Sequence, residues 1–130
     1  METIEFAGSY QYDTRLVGIT VPAFLNYSGK TVEIKTKIDT GSSFCIFQRK
    51  HAENLGIEVE SGEYMRISTA TNGFDAYGFE LALSVLDIET VSTVYFAKEE
   101  LFTRNQGFLD RVKLGLVDYE GKLLLSAYGR

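Results

Sequence analysis

Short runs of strand-forming residues, each cut off by a turn, dominate this chain and leave room for little except a small β domain. The clearest run is residues 31–38. Val32, Ile34 and Ile38 fall on one side, and Thr31, Glu33, Lys35 and Lys37 fall on the other; Thr36 breaks the apolar side. Alternation with a period of two marks a strand packed on one face. The apolar run before it, residues 16–25, is separated from it by Asn26-Tyr27-Ser28-Gly29, so the two are expected to pair across the Ser28-Gly29 turn. Further strands are expected over residues 44–47, 64–68, 79–85 and 90–96, and a last hairpin joins 116–119 to 122–126 over Glu120-Gly121.

Between these runs lie the turn signals. Residues 69–78 hold Asn72-Gly73, the strongest local hairpin signal, and Asp87-Ile88-Glu89 reads as a tight turn. Helical patterning is confined to two islands. Residues 48–55 are good helix formers, ended by Gly56 at a left-handed position. Residues 108–114 suit a second short helix, with Asn105 as a candidate N-cap and Gly115 as its stop. There is no repeat, low-complexity segment or linker. Turns recurring roughly every 8–12 residues predict an all-β class, a small closed, barrel-like domain with one or two short helices.

Size and charge narrow the functions. A chain of 130 residues with 45% hydrophobic content suits one domain with a real core, expected over residues 16–130. Residues 1–15 read as an N-terminal segment, either flexible or part of an interface. A formal charge of -5 makes the chain a poor match for phosphate backbones, so no nucleic-acid partner is expected. Cys45 is the only cysteine, which excludes an intrachain disulfide and a thiolate metal cluster and leans towards a reducing compartment. No apolar stretch approaches the ~18 residues of a membrane helix, and residues 1–15 lack a basic start followed by an apolar run. A cytoplasmic protein without a membrane partner is therefore expected.

The sharpest local feature is Ile38-Asp39-Thr40-Gly41-Ser42-Ser43, followed by the apolar Phe44-Cys45-Ile46-Phe47. An acid sits in a small-residue turn between two strands, where backbone N–H groups and hydroxyls can converge on one carboxylate. Gly41 permits an approach that any side chain would obstruct. Asp, Gly and Ser are also ordinary turn residues, so the string alone does not decide between a site and a turn.

The surrounding sequence adds context. Residues 38–43 resemble the hydrophobic–Asp–Thr/Ser–Gly–Ala/Ser signature of the retropepsin-like aspartic proteases, the single-domain family of retroviral proteases and their cellular and prokaryotic relatives. Residues 69–78 stand where that family has the flap that closes over substrate. Residues 101–111, Leu-Phe-Thr-Arg-Asn-Gln-Gly-Phe-Leu-Asp-Arg, resemble its second signature, in which two hydrophobic residues and a glycine precede Arg and Asn or Asp. Residues 116–123 are similar to the closing hairpin of prokaryotic members. Thr103 stands where the family usually has Gly.

The resemblance implies an acid protease fold with a flap hairpin, and hydrolysis of a peptide or protein substrate without metal or organic cofactor. Asp39 would be catalytic and Thr40, Gly41 and Ser42 would support it. Thr69, Ala70, Thr71, Asn72, Gly73 and Phe74 would form the flap tip over bound peptide. Lys37 shares the side of Asp39 by strand alternation and either faces the substrate groove or stands exposed at a strand edge.

The chemistry needs two carboxylates at one water, one as base and one carrying a proton, because like charges a few Å apart do not both stay ionised. The chain holds a single Asp-Thr-Gly. A two-fold homodimer, with Asp39 from each subunit, supplies the pair. The same fold used as a non-catalytic dimerisation or peptide-binding module is the alternative. Outside this constellation, Cys45 reads as a buried small side chain and His51 as a surface residue.

Overall fold

The computed structural model describes residues 3–39, 44–100, 105 and 112–127. Among these, nine strands and one short α-helix follow in the order β1 (Gly8–Gln11), β2 (Ile19–Tyr27), β3 (Lys30–Ile38), β4 (Cys45–Phe47), α1 (Arg49–Asn54), β5 (Glu63–Ser68), β6 (Gly73–Val85), β7 (Ile88–Ala97), β8 (Val112–Val117) and β9 (Lys122–Ala127). The fold is all-β. Six strands make one sheet, ordered β3-β2-β6-β7-β4 with β5 added along β6, and three make a second, ordered β1-β9-β8.

β2 and β3 pair antiparallel from Ile19↔Ile38 to Tyr27↔Lys30. The two residues between them, Ser28 and Gly29, both have positive φ, 49° and 80°. That primed-type turn matches the right-handed twist of the strands it joins. The alternation of β3 places Ile34 and Thr36 in the core and leaves Glu33, Lys35 and Lys37 exposed.

β6 organises the larger sheet. Its first half pairs with β5, its far half with β2, and most of its length with β7. The turn into β7 is Leu86-Asp87, with φ of 49° and 66°, and Val85 pairs with Ile88. Ile88 and Glu89, expected in the turn, are therefore strand residues.

β4 runs parallel to β7, Cys45↔Val94 to Phe47↔Phe96, and all three residues of β4 and residues 94–97 of β7 are buried. Two clusters explain why both sides are covered. Cys45, Phe47, Val94 and Phe96 join the main core of Val21, Ala23, Leu25, Ile34, Leu81 and Leu83. Ile46 and Tyr95 point the other way and join Ile67 and Ala76, with Phe44, Met65 and Phe74 packed against them.

The smaller sheet closes on the same core through Leu123 and Leu125, both fully buried, and Tyr12. β1 pairs with β9 across almost the whole sequence, Gly8↔Leu125 to Gln11↔Lys122, and the Tyr12 hydroxyl donates to the Asp118 carboxylate. β8 and β9 form the expected last hairpin, joined by a 3-10 turn at Asp118–Glu120 and Gly121 at φ 64°. Val112, Lys113 and Leu114, expected at the end of a second helix, belong to β8; residues 108–111 lie outside the described residues.

α1 ends as the sequence implies, with Gly56 at φ 76°. His51 departs from expectation. It lies on the packed face with Ala52 and Leu55, is 8% exposed, and neither ring nitrogen has a partner among the described residues. Burial, with a smaller contribution from the charge of Lys50, pushes its imidazole below the ordinary value, so neutral His51 serves as an apolar filler.

Candidate active site

Asp39 is the first residue after β3 and is half-buried. The pair Ile19↔Ile38 fixes the strand end from which it emerges, so the long β2–β3 hairpin sets its position. Thr40, Gly41 and Ser42, with Ser43, lie outside the described residues, as do Thr103 and Arg104 of the second signature.

Lys37 pairs with Thr20 and is exposed, on the side of β3 opposite buried Thr36. Its stem does not project straight outwards. A methyl group on Gly18 would lie 3.0 Å from Lys37 Cε, 3.1 Å from Cδ and 3.3 Å from Cγ, so the side chain runs diagonally across Gly18. Gly18 directly precedes Ile19, the partner of Ile38. The stem therefore leads from its own register position towards the strand end where Asp39 stands. Gly18 holds φ 80°, a conformation that a side chain would strain.

Asn105, the one described residue of the second signature, meets both ends of the segment that carries Asp39. Its carbonyl accepts the Lys37 N–H at 2.9 Å, and its Oδ1 accepts the Gln48 N–H at 2.9 Å.

The β5–β6 hairpin holds the candidate flap residues. Ser68 pairs with Gly73, leaving Thr69, Ala70, Thr71 and Asn72 as a four-residue loop. The Thr69 N–H donates to the Asn72 carbonyl at 3.0 Å, and the Asn72 N–H donates to Thr69 Oγ1 at 3.2 Å. Asn72-Gly73 thus marks the hairpin without forming a two-residue turn. Gly73 is the first residue of β6, where a Cβ would meet the Ile67 carbonyl at 2.7 Å. Ala70, Thr71 and Asn72 are exposed at the tip, whereas Phe74 turns inwards.

The two faces of the hairpin differ. Inside, Phe74, Met65 and Ile67 share one apolar cluster with Phe44 and Ile46, which follow Asp39 in sequence. Phe44 meets the Tyr95 ring edge-on at 5.4 Å. Outside, the Tyr64 hydroxyl donates to Asp75 Oδ1 at 2.7 Å and Arg66 Nη1 donates to the same oxygen at 3.0 Å. Both bonds, that of Tyr64 first, hold the Asp75 carboxyl below its ordinary value. The hairpin is braced on one face and packed beside the Asp39 segment on the other.

Residues 21–96, well over half the chain, match the sequence model of the aspartyl protease family. The chain belongs to the aspartyl protease family. The protease also resembles, in fold, the crystal structure of a retropepsin-like aspartic protease from Rickettsia conorii. The TM-score is 0.66 with 21% sequence identity, over 92% of this chain and 99% of that chain. No curated protein matches it.

Two features of this aspartyl protease escaped the sequence. Asn105 read as a helix cap, and nothing local indicates that its side chain bonds Gln48, 57 positions away. Gly18 read as an unremarkable strand residue, and only the pairing register brings it against Lys37. Among the described residues, no cluster of His, Cys, Asp and Glu is arranged to hold a metal ion, and no helix is long and apolar enough to cross a membrane.

Proposed function

We propose that this aspartyl protease is an endopeptidase that works as a homodimer, hydrolysing a peptide bond with a water held between the Asp39 carboxylates of two subunits. The observation that carries the proposal is stoichiometric. A family whose chemistry requires two carboxylates is represented by a chain with a single Asp-Thr-Gly, whose Asp39 stands at the end of a fixed strand. One carboxylate takes a proton from the water as it attacks the carbonyl carbon. The other, protonated, donates to the carbonyl oxygen, and the proton taken up then passes to the leaving amine.

Thr40 ties the two turns across the dimer axis, Gly41 brings backbone close to the carboxylates, and Ser42 donates to the outer carboxylate oxygen. The substrate lies extended beneath residues 69–74, making strand-like backbone hydrogen bonds. The flap loop excludes water and grips the backbone. The diagonal path of the Lys37 stem supports a place for its ammonium beside the groove, favouring an acidic side chain near the scissile bond. A cytoplasmic site of action agrees with the single, buried Cys45.

The test is Asp39→Asn. The amide keeps the shape but cannot act as a base, and the dimer loses both carboxylates at once, so hydrolysis of a mixed peptide pool from about pH 3 to 7 should vanish. Circular dichroism and sedimentation should show fold and dimer retained. Equal cleavage by a folded variant would end the proposal, whereas a wild type that binds extended peptides without cleaving any would leave a binding module.

A further inference from the structure

The segment from Lys37 to Gln48 carries Asp39 between two strands that lie at opposite edges of the six-stranded sheet. An edge strand has one row of N–H and C=O groups that the sheet does not pair. At each foot of this segment an N–H is taken by the same residue. The Lys37 N–H donates to the Asn105 carbonyl and the Gln48 N–H to Asn105 Oδ1, both at 2.9 Å. Gln48 is also the residue from which α1 starts, and α1 has no side-chain cap of its own. We propose that Asn105 is a positioning residue that closes the base of the catalytic segment and sets where Asp39 stands. The proposal rests on the peptidase reading for its effect on rate but not for the clamp itself.

The chemistry of the residue type fits the task. Asparagine offers a backbone carbonyl and, two bonds beyond Cα, an amide carbonyl, so one residue can accept at two feet in different directions. Alanine keeps the backbone arm to Lys37 and deletes the arm to Gln48. Aspartate keeps both acceptors. A foot released at Gln48 loosens the strand and helix start behind Asp39 without touching substrate contacts. Since a displacement of about 1 Å at reacting groups costs on the order of a hundredfold in rate, the loss falls on kcat rather than on KM.

The experiment compares Asn105→Ala and Asn105→Asp with the wild type, using kcat and KM per dimer on one peptide substrate and amide hydrogen exchange at Gln48. The alanine variant should lose about 10- to 100-fold in kcat with KM within about threefold, and its Gln48 amide should exchange about tenfold faster or more. The aspartate variant should restore kcat and slow exchange to within about threefold. An alanine variant with unchanged kcat and unchanged Gln48 exchange overturns the proposal, as does an aspartate variant that loses as much as alanine. Should the alanine variant fail to fold, the aspartate variant alone decides, since a loss of kcat or of Gln48 protection there contradicts the clamp. Should the wild type cleave no peptide, the peptidase reading fails separately. Gln48 exchange then still decides the clamp: fast in alanine and slow in aspartate supports it, and equal rates overturn it.

Discussion

Gly78 is one of the positions near the candidate site that leave no room for a side chain. It stands in β6 between Glu63 of β5 and Tyr95 of β7. A methyl group there would lie 2.7 Å from Tyr95 Cε1, 3.2 Å from Cδ1 and 3.3 Å from Cζ. Tyr95 is 8% exposed and its ring packs T-shaped against Phe44, which restricts its movement. Overpacking of this kind costs about 1–3 kcal/mol. Unfolding entropy near 2.1 cal/mol/K per residue amounts to about 0.27 kcal/mol/K over 130 residues, so Gly78→Ala should lower Tm by about 4–11 °C. Tyr95→Leu removes Cε1, the ring atom that clashes, together with Cζ. The double variant should therefore be less destabilised than the sum of the singles by about 1–2 kcal/mol. Urea unfolding followed by circular dichroism measures this, at one fixed protein concentration because association shifts apparent stability. Additivity within about 0.5 kcal/mol would show that the ring does not confine position 78, contradicting tight packing of Tyr95 beside the segment that carries Asp39.

Two other substitutions bear on specificity and on acid behaviour. Lys37→Leu should reduce the preference for acidic side chains near the scissile bond by about two- to fivefold in kcat/KM, the worth of an exposed ion pair; a peptide-library profile unchanged by the substitution, or insensitive to salt in the wild type, contradicts a groove-facing ammonium. His51 has an imidazole held below its unfolded value of 6.5 by burial. Above about pH 6.5 it is neutral in both states; as pH falls below that, the unfolded chain binds the proton first, so stability is lost down to the folded value. His51→Leu should flatten the fall in urea midpoint between about pH 7 and 5, and an equal slope in both proteins would exclude His51 as its source.

The elements that could be read locally are those whose signal lies in adjacent residues. The alternation of residues 31–38, the Ser28-Gly29 turn and the Gly56 stop each depend on neighbours in sequence, and β3, its hairpin and α1 stand where those signals put them. The apolar run at residues 44–47 announced a buried strand for the same reason, but not that its faces serve two different clusters. Where the signal failed, the cause is tertiary. β6 begins at Gly73 rather than at residue 79, because Gly73 and Gly78 are small for lack of space against Ile67 and Tyr95, and Ala76 is buried in the cluster with them, not because the chain turns. Leu86 and Asp87 take positive φ to join two long strands, although leucine is no turn former. The burial of His51 and the pairing of β1 with β9 depend on residues far along the chain. Around the site, the acid, its strand and the β5–β6 hairpin were legible, whereas Asn105 and Gly18 acquire their places only from the register of the folded sheet.

The central claim, that one active site is built from two copies of Asp39, is tested most directly by subunit mixing. Wild-type protein is equilibrated with an equal amount of Asp39→Asn protein, dissociated and reassociated so that subunits randomise, and peptide hydrolysis is measured against the same amount of wild type alone. Random pairing puts about a quarter of all dimers in the all-wild-type form, so the mixture, which holds twice as many dimers, should show about half the activity of the wild type alone. Further additions of the variant should lower activity towards zero. Activity that stays unchanged as the variant is added would mean that each chain carries a complete site, contradicting the shared carboxylate pair.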